Sequence, residues 1–131
     1  MTDDVLLIFL NSPVENSQLL SALGEQQTRE INEKLQVATH LATKNLSCKK
    51  IVFYASENFR DITWDTHDYN TQEQTGIHLN ERIRNAFNRY IIQNKENVNK
   101  VVFITADCPN LTQTVIEKAF ESLNKNDVCI A

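Results

Sequence analysis

The sequence predicts an α/β fold, a mostly parallel sheet with helices on both faces. Three observations lead there. The apolar runs Val5–Leu10 (VLLIFL), Lys50–Ser56 (KIVFYAS) and Lys100–Thr105 (KVVFIT) are of strand length and continuous rather than alternating, the pattern of strands covered on both sides. Between them lie segments whose apolar residues recur at the three-and-four spacing of a helix. The two kinds of segment alternate along the chain, as parallel strands joined by helical crossovers require.

The first run, Val5–Leu10, is a buried strand, ended by Asn11-Ser12-Pro13. From about Gln18 to Asn45 a helix is expected, with Ile31, Leu35, Ala38, Leu41 and Ala42 as its apolar stripe. Lys50–Ser56 is the second buried strand, with Lys49 and Lys50 as its solvated start. Phe59–Thr75 is polar and irregular, and a short strand is expected near Asp68–Gln72. Leu79, Ile83, Ala86, Phe87, Tyr90 and Ile91 form an amphipathic helical stripe. Lys100–Thr105 is the next buried strand. Val115, Ile116, Ala119, Phe120 and Leu123 then mark a last helix with Thr112 as its N-cap. Asp127–Ala131 (DVCIA) begins another strand. With no linker, repeat or charge block, residues 1–131 read as one α/β domain.

Composition removes several functions. Two glycines cannot build a glycine-rich phosphate cradle, and neither GxGxxG nor GxxxxGK[ST] occurs. A net charge of −4 argues against nucleic acid or an anionic membrane as partner, since both demand a basic face. The start at Asp3 and Asp4 with a short apolar run does not read as a signal peptide, and no segment is long enough to span a bilayer. The cysteines Cys48, Cys108 and Cys129 are odd in number and lack C-x-x-C spacing. Reduced thiols in a cytoplasmic protein are the expectation.

In open α/β sheets ligands bind beyond the carboxyl ends of the strands. That rule selects Asn11–Glu15, Ser56–Asn58 and Thr105–Asn110. The last is the most informative, because an apolar strand runs directly into Asp107 and Pro109 stiffens the turn after it. A carboxylate so placed suits Mg²⁺ or Mn²⁺, and it equally suits the capping of a turn; spacing leaves both readings open. His40, His67 and His78 form no i,i+4 pair and no HExxH, so zinc is not indicated. Cys108 reads as a structural thiol, and Glu57 as an exposed loop carboxylate. Glu81 and Arg82 are adjacent on a helix and cannot share a face, so one of them is expected to turn inward to a polar partner. Phe59, Trp64 and Tyr69 are expected to pack under the long loop. A receiver domain is excluded, because Asp3 and Asp4 lie before the first strand instead of after it.

Two stretches resemble a bacterial glycosyltransferase-like family of the GT-A, nucleotide-diphospho-sugar transferase fold, long catalogued as a domain of unknown function. Gln74-Thr-Gly-Ile-His-Leu-Asn-Glu-Arg-Ile-Arg-Asn-Ala-Phe87 is similar to the family's Q-x-G-x-D-L-G-E-R-M-x-x-A-F. Val101-Val-Phe-Ile-Thr-Ala-Asp-Cys-Pro-Asn-Leu-Thr112 is similar to its strand followed by G-[TS]-D-x-P-x-L. The resemblance implies a Rossmann-like GT-A fold, here truncated on its C-terminal side, and a protein related to nucleotide-sugar transferases. It implies that Asp107 holds a divalent metal, Mg²⁺ or Mn²⁺, on a nucleotide-sugar diphosphate, and that Gly76, Glu81 and Arg82 shape the nucleotide side of the crevice. The metal would then neutralise the leaving diphosphate as a Lewis acid.

The departures point the other way. The family's basic G-x-x-K-T-R-L loop is replaced by Val14-Glu-Asn-Ser-Gln-Leu-Leu20, and its G-P-x-x-D-G-G-Y-Y segment is missing. Activity weakened or lost is therefore expected, with a non-catalytic binding or assembly module as the alternative. A homo-oligomer is expected because a buried-type strand at the end of the chain leaves sheet edge to cover.

Overall fold

The computed structural model describes residues 3–10, 17–55, 64, 67–92, 96–108 and 110–127. Four strands, β1 (Asp3–Phe9), β2 (Lys49–Tyr54), β3 (Asn70–Glu73) and β4 (Val98–Thr105), form one sheet in the order β3-β2-β1-β4. Every pairing is parallel, with Val5–Phe9 opposite Lys49–Phe53 on one side and Val101–Thr105 on the other. Helix α1 (Ser17–Thr43) joins β1 to β2, α2 (Leu79–Phe87) leads from β3 toward β4, and α3 (Gln113–Ser122) follows β4. The class read from the sequence, α/β with a parallel sheet, is the fold of the chain.

Alternate residues of the strands divide the core into two layers. Leu6, Ile8, Leu10 and Val52 pack with Ala42, Leu46, Trp64, Tyr69 and Ile116, on the side of α1 and α3. Val5, Leu7, Phe9, Ile51 and Phe53 pack with Ala86, and with the half-buried Ile83, Phe87 and Ile91, on the side of α2. Helices thus cover both faces. The sheet grows one way from β1 through α1 and the other way through α2, so right-handed crossovers require these two helices on opposite faces. Burial of each large aliphatic side chain in β1 contributes about 1.5–3 kcal/mol, which makes this strand the centre of the fold. A chain of tilted rings, Phe53–Phe9–Phe103–Phe87, crosses the α2 layer with centroids 5.1, 5.3 and 5.7 Å apart.

Four expectations need correction. Lys100–Thr105, read as a buried strand, is only half-buried from Val101 to Thr105 and stands at an edge of the described sheet, where among the described residues only β1 pairs with it. The inward face of α1 is largely polar, although Ala42 of the expected stripe is buried in the core. Thr28, Asn32, Gln36, Thr39 and Thr43 are buried along one helical stripe, while Leu41 is 55% exposed. The helix is also broken at Gly24, whose φ of 83° and ψ of 171° are not helical. Lys50, expected to be solvated, is 7% exposed and donates to the Thr43 and Lys44 carbonyls at 3.3 and 3.2 Å, capping the C-terminal end of α1. Its ammonium lies 4.8 Å from the centroid of the Tyr69 ring.

Elsewhere the structure agrees closely with the reading. The short strand expected near Asp68–Gln72 is β3 at Asn70–Glu73. Thr112 caps α3, its hydroxyl accepting from the Val115 amide at 3.3 Å. Trp64 and Tyr69 are buried in mutual contact, their rings 5.0 Å apart. The stripe running from α2 is helical to Phe87 and then widens into a π-helical turn at Asn88–Ile92. The expected strand at 128–131, the turns at 11–16 and 56–63, and Pro109 lie outside the described residues.

Candidate functional site

The switch point of this sheet lies between β1 and β4, because the chain leaves β1 toward β2 on one side and later crosses from β3 to β4 on the other. The crevice at such a point, beyond the carboxyl ends of the strands, is where an open α/β sheet receives ligands. The ends of β1 and β4 meet there, since the Ala106 amide donates to the Phe9 carbonyl at 2.9 Å. Asp107 follows immediately, exposed, with one carboxylate oxygen accepting the Thr105 hydroxyl. Cys108 beside it is a free, exposed thiol.

Gly76, Glu81 and Arg82 come together at the end of β3. Gly76 has a φ of +127°, and a Cβ on it would stand 3.1 Å from both the Arg82 amide nitrogen and Glu81 Cγ. Glycine here serves both the left-handed backbone and the close approach of α2. Arg82 Nε donates to the Gly76 carbonyl at 2.9 Å, and the Ile77 amide donates to Glu81 Oε2 at 3.3 Å. Asn85 Nδ2 adds a bond to the Thr75 carbonyl at 2.8 Å. Of the adjacent pair, Arg82 is the half-buried one and turns to polar partners, while Glu81 is exposed.

The cluster follows β3 and Asp107 follows β4, and the ends of β2 and β1 lie between those two strands in the sheet. What lies between is spanned by a residue that sequence reasoning passed over. Gln74 is 9% exposed, and its Nε2 donates to the Leu10 carbonyl at 2.8 Å and the Phe53 carbonyl at 3.0 Å. The only signal in the sequence was its place at the head of the motif, since a bond between residues 64 apart leaves no periodicity.

The remaining titratable candidates lie elsewhere. His40 packs against Trp64 and Tyr69, with ring centroids 5.6 and 5.5 Å away. His67 and His78 are exposed, and Glu57 is outside the described residues. Among the described residues no three His, Cys, Asp or Glu side chains are grouped to hold a metal. No described helix is long and apolar enough to cross a membrane.

Residues 36–131 match the family described as "Uncharacterized protein conserved in bacteria (DUF2064)". The chain belongs to this family. Both motif stretches fall inside the matched residues. The fold also has a solved relative, a crystal structure from Desulfovibrio desulfuricans G20 that carries the name "putative nucleotide-diphospho-sugar transferase". The two align with a TM-score of 0.77 and 17% identity, over 95% of this chain and 56% of the other. This DUF2064 chain therefore shares the fold of that protein and spans little more than half of its length. No curated protein matches the sequence.

Proposed function

We propose that the chain is a glycosyltransferase-like protein that receives a nucleotide sugar at the carboxyl ends of β1 and β4. The observation that supports this best is Asp107, an exposed carboxylate at the switch point of a sheet shared with a protein named for nucleotide-diphospho-sugar transfer. A single carboxylate fits the role, because Mg²⁺ characteristically takes one or two carboxylates and fills its remaining positions with water and phosphate oxygens. Asp107 would hold Mg²⁺ or Mn²⁺, which when bound supplies positive charge to a leaving diphosphate. Gly76, Glu81 and Arg82, beyond the end of β3, would shape the nucleotide side by fixing the turn into α2.

Residues 11–20 include Glu15 and no Lys or Arg, the cations that hold a diphosphate best. We therefore expect binding with weak or absent transfer. Isothermal calorimetry with Mn²⁺ and UDP, GDP, dTDP or CDP tests the reading. Binding of at least one nucleotide, lost in Asp107→Ala, supports it. Failure of all four, or unchanged binding in the variant, rejects it.

The outer edge of β4 favours a second reading, an assembly module. Val101 to Ile104, with Leu111, Val115, Ile116, Ala119 and Leu123, line a groove of about 360 Å³ along that edge. Among the described residues only β1 pairs with β4, and an edge flanked by apolar surface invites a further strand. A homo-oligomer in light scattering supports this reading, and a strict monomer at high concentration counts against it.

A further inference from the structure

β-ladders lose their partners where the strands part, and at this end of the sheet one side chain takes over. The Phe53 carbonyl accepts the Leu10 amide at 3.0 Å and Gln74 Nε2 at 3.0 Å, using both of its lone pairs. The second N–H of the same carboxamide goes to the Leu10 carbonyl at 2.8 Å. A residue following edge strand β3 thus reaches across β2 to β1, as an added peptide unit would. Its own backbone is fixed as well, its amide donating to the Tyr54 carbonyl at 2.8 Å. Its Oε1 faces Arg82 Nη1 at 3.5 Å, and Arg82 in turn holds the Gly76 carbonyl.

We infer that Gln74 is a positioning residue for the crevice, setting how the chain leaves β1 and β2 and where the first turn of α2 stands relative to them. Leu10 follows Phe9, which accepts the Ala106 amide one residue before Asp107, so a shift of Leu10 moves the floor beside that carboxylate. The chemistry admits no close substitute. Asparagine is one methylene too short to span two strands, glutamate turns oxygens toward two carbonyls, and methionine fills the space without a donor. The ligand side of this inference rests on the nucleotide-sugar reading; the mechanical side does not.

The test compares Gln74→Met and Gln74→Asn with the unaltered chain, well below the melting temperature, by two readouts. Amide hydrogen exchange is expected to rise about tenfold or more at Leu10 and Gln74, with the mid-sheet amides of Ile8 and Val52 unchanged. Mn²⁺–UDP affinity is expected to fall at least about tenfold, the usual cost of losing a group that orients a metal or ligand contact. Arg82→Met is expected to raise exchange at the same two amides, less strongly and non-additively with Gln74→Met. Exchange that rises uniformly across the sheet would reduce Gln74 to a general stabiliser and overturn the inference, as would unchanged exchange at Leu10. If the unaltered chain binds no nucleotide, the functional reading alone fails and the exchange pattern still decides. Should Gln74→Met not fold, Gln74→Asn and Arg82→Met carry the comparison.

Discussion

Gly76 shows how much a single residue can be asked to do. Any side chain at its φ of +127° is strained, and the Cβ would press on the Arg82 backbone nitrogen at 3.1 Å. Gly76→Ala is expected to lower the unfolding free energy by about 1–3 kcal/mol in urea titration. An unchanged midpoint would mean that the turn into α2 is not held as described. The half-buried Cys48 and the buried Tyr69 add a pH dependence. Burial pushes the Cys48 thiol above its ordinary 9.0 and the Tyr69 hydroxyl above its ordinary 10.0. Lys50 opposes the first shift, and the hydrogen bond with Thr43 opposes the second. Both groups are thus favoured neutral in the fold, so their contribution is complete below the ordinary values and is lost as pH rises through the raised ones. Melting temperature followed by circular dichroism is expected to drop as pH climbs past about 9, with a shallower drop in a Cys48→Ser/Tyr69→Phe variant. Equal slopes in the two proteins would contradict the assignment.

At the scale of the element, α1 carries the least expected chemistry. Its buried stripe is polar because most of its members satisfy themselves locally. Thr28, Thr39 and Thr43 return their hydroxyls to the carbonyls of Gly24, Leu35 and Thr39 at 2.7, 2.9 and 2.9 Å. Gln36 Oε1 accepts Trp64 Nε1 at 3.3 Å, and Thr43 Oγ1 meets Tyr69 Oη at 2.8 Å. Asn32 is the exception, its Nδ2 buried with no partner among the described residues. Asn32→Leu keeps the number and branching of side-chain heavy atoms and removes that unmet donor, so a gain of about 1 kcal/mol in unfolding free energy is expected by urea titration. A loss of stability would show that the carboxamide is needed. The stripe was not legible in the sequence for the same reason that it is stable. Periodicity identifies a helix and assigns its apolar side inward, whereas hydroxyls bonded to their own helix and an amide bonded to a distant indole bury without an apolar signature. Strand β4 misled in the opposite sense. Its run of Val, Phe and Ile reads as doubly covered, yet its place at an edge of the described sheet depends on strand order, which local composition does not contain.

For the whole molecule, the legible part was what local patterns encode: β1 and β2, the helix limits, the cap at Thr112, and the parallel class that their alternation implies. Asp107 was legible because a strand-end carboxylate needs no partner to be noticed. That the strand before Gly76 and the strand before Asp107 are not neighbours was not, since it follows from the order β3-β2-β1-β4. Nor was Gln74, whose role exists only once three strand ends are side by side. The apolar groove along β4 belongs to this scale too. Light scattering is expected to show a homo-oligomer, and a Val102→Lys variant is expected to shift it toward monomer; a variant that associates as the unaltered chain does would remove that edge from the interface.

The central claim is that a metal-bound nucleotide sits beyond the carboxyl ends of β1 and β4, and paramagnetic relaxation locates it directly. With Mn²⁺ and the best-binding nucleoside diphosphate, amide signals of Leu10, Ala106, Asp107 and Cys108 are expected to broaden first, while those of Lys49, Asn70 and Asn99 at the amino ends stay sharp. Broadening centred on the amino ends, or the same pattern surviving in Asp107→Ala, would contradict the account.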